Sequence, residues 1–286
     1  MIISQLTGGL GNQMFQYAFG YSLARKNDVV LLYCYQHIDG NTKRELELKQ
    51  FNISGVEADR SDLIKLGYYS SFIDLVLDKI GFTTSSTLKE KNYYFDKNAQ
   101  EMSGNFIVQG YWQSYKYFLS VSDEIRNEFT FKKILSGQNA IIIKQIVSQN
   151  SVSVHIRRGD YISNKKTHDY HGICDLDYYQ SAIEKITKEI SSPVFYFFSD
   201  DPEWVKKNLK TKTESYYINW NTGENSFRDM QLMSLCKHNI IANSSFSWWG
   251  AWLNTNPKKI VIAPRKWFND TSINTSDLIP DCWIKI

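Results

Sequence analysis

The sequence predicts an α/β protein in which helices cover parallel, doubly wound sheets. Two observations carry this prediction: the chain begins with a strand, a glycine turn, a helix and a second strand, and its second half alternates β-rich runs with helical segments. Such alternation requires crossover connections, which produce parallel sheets. The length of 286 residues allows one large domain or two of ordinary size, and 42% hydrophobic residues suffice to build their cores.

The first half is predicted in detail only at its two ends. An apolar run at residues 2–6 leads into a turn rich in glycine, then into a helix at 13–26 and a second apolar run at 29–33. Residues 40–105 carry mixed helical and loop signals, and their topology stays open. A further strand is expected at 105–111.

The second half contains five β-rich runs separated by helical segments. These runs lie at residues 152–156, 194–198, 215–219, 239–242 and 259–263. Asp177 and Gln180 have the spacing of a capping box, which predicts a helix at 178–190. We therefore expect two domains, 1–145 and 146–286, facing a central cleft, since α/β proteins bind ligands at the carboxyl ends of their strands.

Composition excludes several classes of protein. Lys and Arg total 33 against 30 Asp and Glu, and a net charge of +3 is too small for a dedicated nucleic-acid binder. The four cysteines lie far apart and form no CxxC pair, so neither a zinc site nor a disulfide framework is indicated. The N-terminus lacks the features of a secretion signal, and no apolar run is long enough to span a membrane. We expect a cytoplasmic protein, and this leaves peripheral contact with the membrane open.

The sharpest candidate site follows the predicted strand at 152–156. His155, Arg157, Arg158, Gly159 and Asp160 converge there on one turn. Arginine presents a planar fork of donors that suits phosphate oxygens, and glycine allows close approach of a backbone, so the motif suits a diphosphate. The alternative is structural: the arginines pair with Asp160 and neighbouring acids, and in an alternating strand they point to opposite faces.

A second candidate is the glycine turn at residues 7–14. Gly8, Gly9, Gly11 and Asn12 stand between a strand and a helix, where backbone N–H groups can bind an anion or a sugar oxygen. The turn has neither the spacing of the dinucleotide-binding glycine motif nor the lysine of a P-loop. The alternative is an ordinary turn in which Asn12 caps the helix.

A third candidate is a serine cluster that follows the strand at 239–242. Ser244, Ser245, Phe246 and Ser247 open a predicted helix, where hydroxyls and free N–H groups suit further phosphate oxygens. The alternative is that the serines only cap the helix. The tryptophans of the same helix are expected in the core: Trp248, Trp249 and Trp252.

Acidic residues give two weaker candidates. Asp200 follows a predicted strand, where it could act as a catalytic base or bind a ribose. Asp201, which precedes Pro202, is expected to cap a helix. Asp175 and Asp177 form the one DxD tripeptide that resembles a metal-binding motif of glycosyltransferases, but a position at a helix start favours capping. No other cluster of hard oxygen ligands stands out, and we predict no metal.

Four motifs together carry a resemblance to a known family. They are GGLGNQMFQYA at 8–18, HIRRGDY at 155–161, FSDD at 198–201 and NSSFSWWGAWL at 243–253. In order and spacing this set resembles the α-1,2-fucosyltransferases of glycosyltransferase family 11, especially the bacterial enzymes that build O-antigen repeats. The resemblance covers nearly the full chain.

The resemblance implies a GT-B-like fold of two Rossmann-like domains, the N-terminal one on the acceptor side and the C-terminal one binding the donor. It implies transfer of L-fucose from GDP-fucose to the 2-hydroxyl of a terminal galactose, with inversion and without a metal or other cofactor. The acceptor is a glycan, and a lipid-linked one would bring the enzyme to the inner membrane. The alternatives are another GT-B glycosyltransferase with a different donor or linkage, and a non-catalytic glycan- or nucleotide-binding protein.

Residue roles follow from the same resemblance. Asn12 matches a residue at the reacting centre, and Arg158 matches the arginine that contacts the donor β-phosphate. The catalytic group expected in this way comprises Asn12, His155, Arg158 and Asp160. The expected binding group comprises Gly9, Gly11, Arg157, Asp200, Asp229, Ser244, Ser245, Phe246 and Ser247, with Asp229 accepting the two donors of the guanine base. The identity of the catalytic base stays open, because Asp160 either deprotonates the acceptor or orients the arginines.

Overall fold

A computed structural model describes residues 1–35, 45–67, 86–159, 169–170 and 172–286. The chain divides into two compact units. The first comprises Met1–Lys132 and Asn274–Leu278, and the second comprises Lys133–Ile273 and Ile279–Ile286. Asp160, one of the expected site residues, lies outside the described residues.

Unit 1 is built on a five-stranded sheet in which all strand pairs are parallel. Its strands are β1 (Ile2–Leu6), β2 (Leu31–Tyr35), β3 (Val56–Glu57), β4 (Thr87–Lys89) and β5 (Phe106–Gln109). The spatial order is β3-β2-β1-β5-β4. Within the stretch whose topology the sequence left open, β3 and β4 therefore form the two edges of the sheet.

The described helices of unit 1 lie between these strands or follow the last of them. They are α1 (Leu10–Lys26), α2 (Arg60–Lys65), α3 (Lys97–Gln100) and α4 (Ser122–Glu128), with 3-10 helices at Glu47–Gln50 and Tyr115–Val121. Helix α1 buries residues on nearly all its sides, as expected for a helix enclosed between a sheet and other elements.

The start of α1 differs from the sequence-based prediction. The Gly9 carbonyl already accepts the backbone N–H of Asn12 at 2.9 Å and that of Gln13 at 3.1 Å, so Gly9 is the N-cap and the helix begins at Leu10. The interpretation of Asn12 as a helix cap is therefore wrong. Its side chain lies in the first turn and remains available for other contacts.

Unit 2 is built on a six-stranded parallel sheet. Its strands are β6 (Asn150–Ile156), β7 (Pro193–Ser199), β8 (Ser215–Ile218), β9 (His238–Ile240), β10 (Val261–Ala263) and β11 (Ile284–Lys285). The spatial order is β11-β10-β9-β6-β7-β8. The expected α/β class with parallel sheets is confirmed.

The described helices of unit 2 are α5 (Gln138–Ser148), α6 (Leu176–Glu189), α7 (Pro202–Asn208), α8 (Phe227–Leu235) and α9 (Ser245–Leu253). Helix α5 packs against β6 and α8, so it belongs to unit 2 and the expected domain boundary between 145 and 146 falls inside it. None of the helices in the described ranges is long and apolar enough to cross a membrane.

Two predictions about unit 2 have opposite outcomes. The cap of α6 is Asp175, whose carboxylate accepts the Tyr178 N–H at 2.8 Å, and the capping box assigned to Asp177 is wrong. The burial expected for the three tryptophans of α9 is confirmed, because Trp248 and Trp249 are fully buried and Trp252 nearly so. The Trp248 ring stacks on Trp252 and contacts Trp283, which anchors the helix.

Candidate active site

The candidate residues follow interior strands of the two sheets. In unit 2 the strand order changes direction between β6 and β9, and in unit 1 the interior strand β1 lies beside β5. The connections that leave β6 and β9 run to opposite sides, which opens a crevice beyond the carboxyl ends of these two strands. The arginine motif follows β6 and the serine cluster follows β9, whereas the glycine turn follows β1.

The turn after β6 is held by Asp200, which follows the neighbouring strand β7. One oxygen of its carboxylate pairs with Arg157 Nη1 at 2.9 Å, and the other accepts the Arg158 backbone N–H at 2.9 Å. A Cβ atom on Gly159 would lie 2.8 Å from Asp200 Oδ2, so a side chain there would displace the Asp200 carboxylate. Asp200 therefore orients the turn. The sequence had predicted such pairing of the arginines only with neighbouring acids in general.

Arg158 is held by two residues at the start of α7. Its Nε lies 3.3 Å from Asp201 Oδ2, and its guanidinium stacks on Trp204 at 3.6 Å from the ring centroid. Asp201 also accepts the Trp204 N–H at 3.2 Å, so its expected role as a helix cap is confirmed. Neither terminal nitrogen of Arg158 forms a hydrogen bond with the described part of the chain, which leaves the fork of donors ready for an anion. The sequence offered no reason to single out Trp204.

His155 lies at the end of β6 beside Phe246 of α9. It is buried, and the ring centroids of the two residues are 5.6 Å apart. Burial lowers the pKa of His155 to about 4, with the Arg157 charge acting in the same direction and Asp200 opposing it. Its Nδ1 has no hydrogen-bond partner among the described residues. A neutral histidine in this position can donate or accept a hydrogen bond but carries no charge near neutral pH.

The first turn of α9 contributes backbone donors. Ser244 is the N-cap, but no side chain caps the helix, and the N–H groups of Ser245, Phe246 and Ser247 precede the first intrahelical bond. The Ser247 side chain is turned away, because it is fully buried and its hydroxyl donates to the carbonyls of Ala242 and Ser244. A ligand at this helix end therefore meets the Ser247 backbone and not its hydroxyl.

Asp229 lies in the first turn of α8 within a chain of amide hydrogen bonds. Asn221 donates to Asp229 Oδ1 at 2.7 Å, Asn139 donates to Asn221 Oδ1 at 2.7 Å, and Trp220 donates to Asn139 at 2.8 Å. Burial raises the pKa of Asp229 to about 7, although the Asn221 bond lowers it. The network holds a carboxyl group whose charge changes near neutral pH.

The glycine turn of unit 1 surrounds a different polar group. Gly8 has a φ of +75°, a conformation that favours glycine, and a Cβ atom there would lie 3.0 Å from Asn12 Nδ2. Asn12 Oδ1 accepts a hydrogen bond from Gln113 at 2.8 Å. Gly9 caps α1, and Gly11 is buried in its first turn. Sequence reasoning missed Gln113, whose one local signal is its place shortly after a strand.

Metal ligands are a separate question. Within the described ranges, no three His, Cys, Asp or Glu side chains are grouped so that they could hold a metal ion. Asp175 is occupied as a helix cap. The expectation of a metal-free reaction stays a prediction.

The chain has two Rossmann-like units, and in unit 2 a restrained arginine follows β6 while an uncapped helix N-terminus follows the neighbouring strand β9. Both features are typical of the class of α/β proteins that bind phosphorylated ligands at strand ends. The family model described as glycosyl transferase family 11 matches residues 1–286. The chain belongs to glycosyl transferase family 11 and is a glycosyltransferase.

Several relatives are similar over nearly their whole length. The O-antigen biosynthesis glycosyltransferase WbnK of Escherichia coli is 37% identical, with 99% of each chain covered. The alpha-1,2-colitosyltransferase of Escherichia coli is 34% identical, with 100% of this chain and 99% of the relative covered. The more distant galactoside 2-alpha-L-fucosyltransferase Sec1 of Mus musculus is 24% identical over 88% of this chain and 64% of its own.

Among solved structures, the NodZ alpha-1,6-fucosyltransferase soaked with GDP-fucose is similar in fold. The TM-score is 0.55 at 15% sequence identity, with 91% of this chain and 94% of that chain covered. This likeness confirms the expected GT-B-like fold.

Proposed function

We propose that this glycosyltransferase transfers L-fucose from GDP-β-L-fucose to the 2-hydroxyl of a terminal galactose in an O-antigen repeat unit. Transfer proceeds with inversion and needs neither a metal nor another cofactor. The observation that carries the proposal is the restrained guanidinium of Arg158 at the strand-order change of unit 2. The names of the relatives support it, since they combine α-1,2 linkage, fucose, galactoside acceptors and O-antigen synthesis.

The diphosphate leaving group is the part of the donor that needs most stabilisation in the transition state. Negative charge grows on the bridging oxygen as the bond to the sugar breaks, and donors fixed in advance stabilise that charge without reorganising. Arg158 supplies a cation whose geometry is set by Asp201 and Trp204. The first turn of α9 supplies backbone N–H groups and the positive end of a helix dipole.

We assign to Asp229 the role of binding the guanine base. Guanine presents an N1–H and an N2 amino group side by side, and a carboxylate accepts both together. Asn221 donates a hydrogen bond to one carboxylate oxygen of Asp229 and keeps its orientation. The charge of this carboxyl group then decides how tightly the base is held.

The reacting centre is assigned to Asn12, with His155 and Asp160 in supporting roles. The transition state of glycosyl transfer resembles an oxocarbenium ion, so stabilising the leaving group matters more than a strong base. His155 serves as a neutral hydrogen-bonding group, in keeping with its lowered pKa. Asp160 either deprotonates the acceptor or orients the arginines, and Arg157, held by Asp200, adds positive charge beside the diphosphate.

Colitose is a second candidate for the transferred sugar. It differs from fucose by the absence of the 3-hydroxyl group, and the relative that is 34% identical is named for transferring it. A site that hydrogen-bonds the 3-hydroxyl discriminates strongly against a sugar without it, whereas a site that only accommodates the hydroxyl discriminates weakly. Competition between the two GDP-sugars therefore identifies the donor.

The test is a turnover assay with purified protein in EDTA. GDP-fucose, GDP-colitose and UDP-galactose are offered with an array of galactose-terminated glycans, and released nucleotide and product mass are followed. We expect GDP release and a product with fucose on the 2-hydroxyl and inverted anomeric configuration. Dependence on added Mg²⁺ would contradict the metal-free mechanism, and glycan binding by calorimetry without GDP binding would indicate a non-catalytic protein.

The cellular setting belongs to the same proposal. The enzyme acts in the cytoplasm, where GDP-sugars are made, and contacts the inner membrane peripherally through a lipid-linked acceptor. Flotation of the protein with vesicles only when lipid-linked acceptor is present would support this setting.

A further inference from the structure

Gln113 and Asn12 form a hydrogen bond between the segments that follow two neighbouring interior strands of unit 1. Asn12 follows β1, Gln113 follows β5, and these two strands are neighbours in the sheet. Gln113 Nε2 donates to Asn12 Oδ1 at 2.8 Å, and the Gln113 side chain is largely buried. The pair therefore lies beyond the carboxyl ends of two neighbouring parallel strands, the side of the sheet on which α/β proteins bind ligands.

We propose that Gln113 is a positioning residue, which occupies the oxygen of the Asn12 side chain and so makes Asn12 present its Nδ2 donors to a substrate oxygen. This inference rests on the proposed function in one respect, the assignment of Asn12 to the reacting centre. Asn12 Nδ2 forms no hydrogen bond within the described part of the chain, and it lies over Gly8, where no side chain intrudes. An amide held in this way acts as a donor and not as an acceptor.

The segment that carries Gln113 is itself clamped by Glu90. The two carboxylate oxygens accept the consecutive backbone N–H groups of Tyr111 at 2.6 Å and Trp112 at 2.9 Å, and the Glu90 N–H donates to the Gln109 carbonyl at 2.8 Å. Three hydrogen bonds thus tie Glu90, the residue after β4, to the last residue of β5 and to the segment that follows it. This clamp sets the direction in which the chain leaves the sheet just before Gln113.

Gln16 joins the same segment to the glycine turn. Its Nε2 donates to the Gly110 carbonyl at 3.0 Å, and its Oε1 accepts the Thr7 N–H at 2.8 Å. The connections after β1 and β5 are therefore fixed to each other by Gln16 as well as by the Asn12–Gln113 bond. A misplacement of about 1 Å in a reacting group can cost about 10² in rate, so such fixing matters for Asn12.

The test exploits the polarity of the side chain at position 113. In Gln113→Glu, a carboxylate cannot donate to Asn12 Oδ1, and Asn12 turns its Nδ2 toward the new charge, whereas the protonated acid can donate again. In Gln113→Met, the bond is absent at every pH. Gln138→Glu changes charge in the same way at an exposed site of unit 2 and serves as the matched control.

We expect Gln113→Met to lower kcat/KM by about 10 to 10² at every pH, the loss typical of a displaced reacting group. Gln113→Glu should be as impaired above about pH 8. Because position 113 is buried, the pKa of the new carboxyl group is raised, and the variant should recover about tenfold, relative to wild type at each pH, on acidification to about pH 5.5 as this group takes up a proton. Titratable groups near the pair are Glu90, Glu47, Lys116 and Asp277, and comparison with wild type cancels their own titration.

Two results would overturn the proposal. One is Gln113→Met with at least half the wild-type kcat/KM. The other is Gln113→Glu that is active only when its carboxyl group is ionised, since the Asn12 amide would then have the opposite orientation. Circular dichroism and thermal unfolding of each variant show whether it folds.

A second readout separates this inference from the proposed function. In protein labelled with ¹⁵N-asparagine, the Asn12 side-chain amide resonance is identified by its absence in Asn12→Asp. It should shift in Gln113→Met and titrate in Gln113→Glu, with no substrate present. If wild type turns over no GDP-sugar but the resonance shifts and titrates as expected, Gln113 positions Asn12 and the proposed activity is wrong. If the resonance is unchanged in both variants, the positioning role of Gln113 is wrong.

Discussion

At the scale of single residues, the chemistry of unit 2 depends on groups whose freedom or charge is restricted by a neighbour. Arg158 is held by an ion pair on its Nε and by stacking on Trp204, which leaves its terminal nitrogens directed elsewhere. Asp229 is held by Asn221, and burial brings its pKa to about 7. Each restriction leads to a measurable consequence.

Replacing Arg158 should impair the chemical step more than binding. Arg158→Ala removes a fixed donor from the place where negative charge develops, and kcat should fall by about 10² or more. Arg158→Lys keeps the charge but loses the planar fork and most of the stacking on Trp204, so it should restore only part of the rate. Steady-state kinetics measure both variants, with the exposed Arg265→Ala as control. A normal kcat in Arg158→Ala would exclude this residue from leaving-group stabilisation.

The affinity for GDP should decrease as the pH falls through about 7. In the proposed guanine site, the Asp229 carboxylate would accept the two guanine donors only when ionised, and a pKa raised by burial makes it protonated below that value. Each pH unit below the pKa should weaken GDP binding by up to about tenfold, with the effect on inosine diphosphate smaller because one base donor is missing. Calorimetry across the pH range measures this, and Asp229→Asn should bind weakly with a flatter pH profile. If wild type and Asp229→Asn showed the same pH dependence of GDP affinity, the guanine base would have to bind elsewhere.

At the scale of elements, the connection after β5 shows how a short segment is directed by contacts that leave no room for a side chain. Gly110 has a φ of +148°, and a Cβ atom there would lie 2.3 Å from Glu90 Cβ and 3.0 Å from Trp112 Nε1. Trp112 packs in turn on Phe19 of α1 at 4.3 Å between ring centroids. The segment is fixed against both the sheet and the helix that carries Asn12.

Gly110→Ala should therefore disturb this segment, and Gly104→Ala should not. Both glycines have a positive φ, but nothing lies within 4 Å of a Cβ at Gly104, so the pair isolates the effect of the close contact. Overpacking costs about 1–3 kcal/mol beyond the backbone strain common to both, or a difference in Tm of several degrees for a chain of this size. Differential scanning calorimetry gives the Tm, and kcat/KM should fall only in Gly110→Ala. Equal effects of the two substitutions would show that the contact with Glu90 relaxes easily.

At the scale of the whole molecule, each unit has its own parallel sheet and its own core. The core of unit 2 gathers side chains from β6, β7 and β9 beneath the arginine turn, and that of unit 1 joins β1, β2 and β5. GDP binding and the positioning of Asn12 are therefore assigned to separately packed units.

GDP alone should protect unit 2 from hydrogen exchange. Amides at residues 157–159 and 244–247 lie where the diphosphate is proposed to bind, and bound ligand shields them directly or by raising local stability. Exchange measured by mass spectrometry with and without GDP should show protection of peptides that cover these residues, and little change in peptides from α1. Protection confined to the glycine turn would assign the nucleotide to unit 1.

The sequence by itself determined the local parts of this protein. The alternation of strands and helices predicted parallel sheets, and the arginine, glycine and serine motifs each marked the end of a strand. These features depend on residues a few positions apart, because the periods of strands and helices are short. Where a cap depended on detailed backbone geometry, at Asn12 and at Asp177, pattern alone was insufficient.

The tertiary structure decided which of those parts meet. Gln113 reaches Asn12 across 101 residues because β5 lies beside β1 in the sheet, and Asp200 reaches Arg158 across 42 residues because β7 lies beside β6. Trp204, Glu90 and Gln113 carry no distinctive local pattern, and their roles arise only from these neighbours. Strand order follows from burying the whole core at once, a property of the folded chain that no short segment contains.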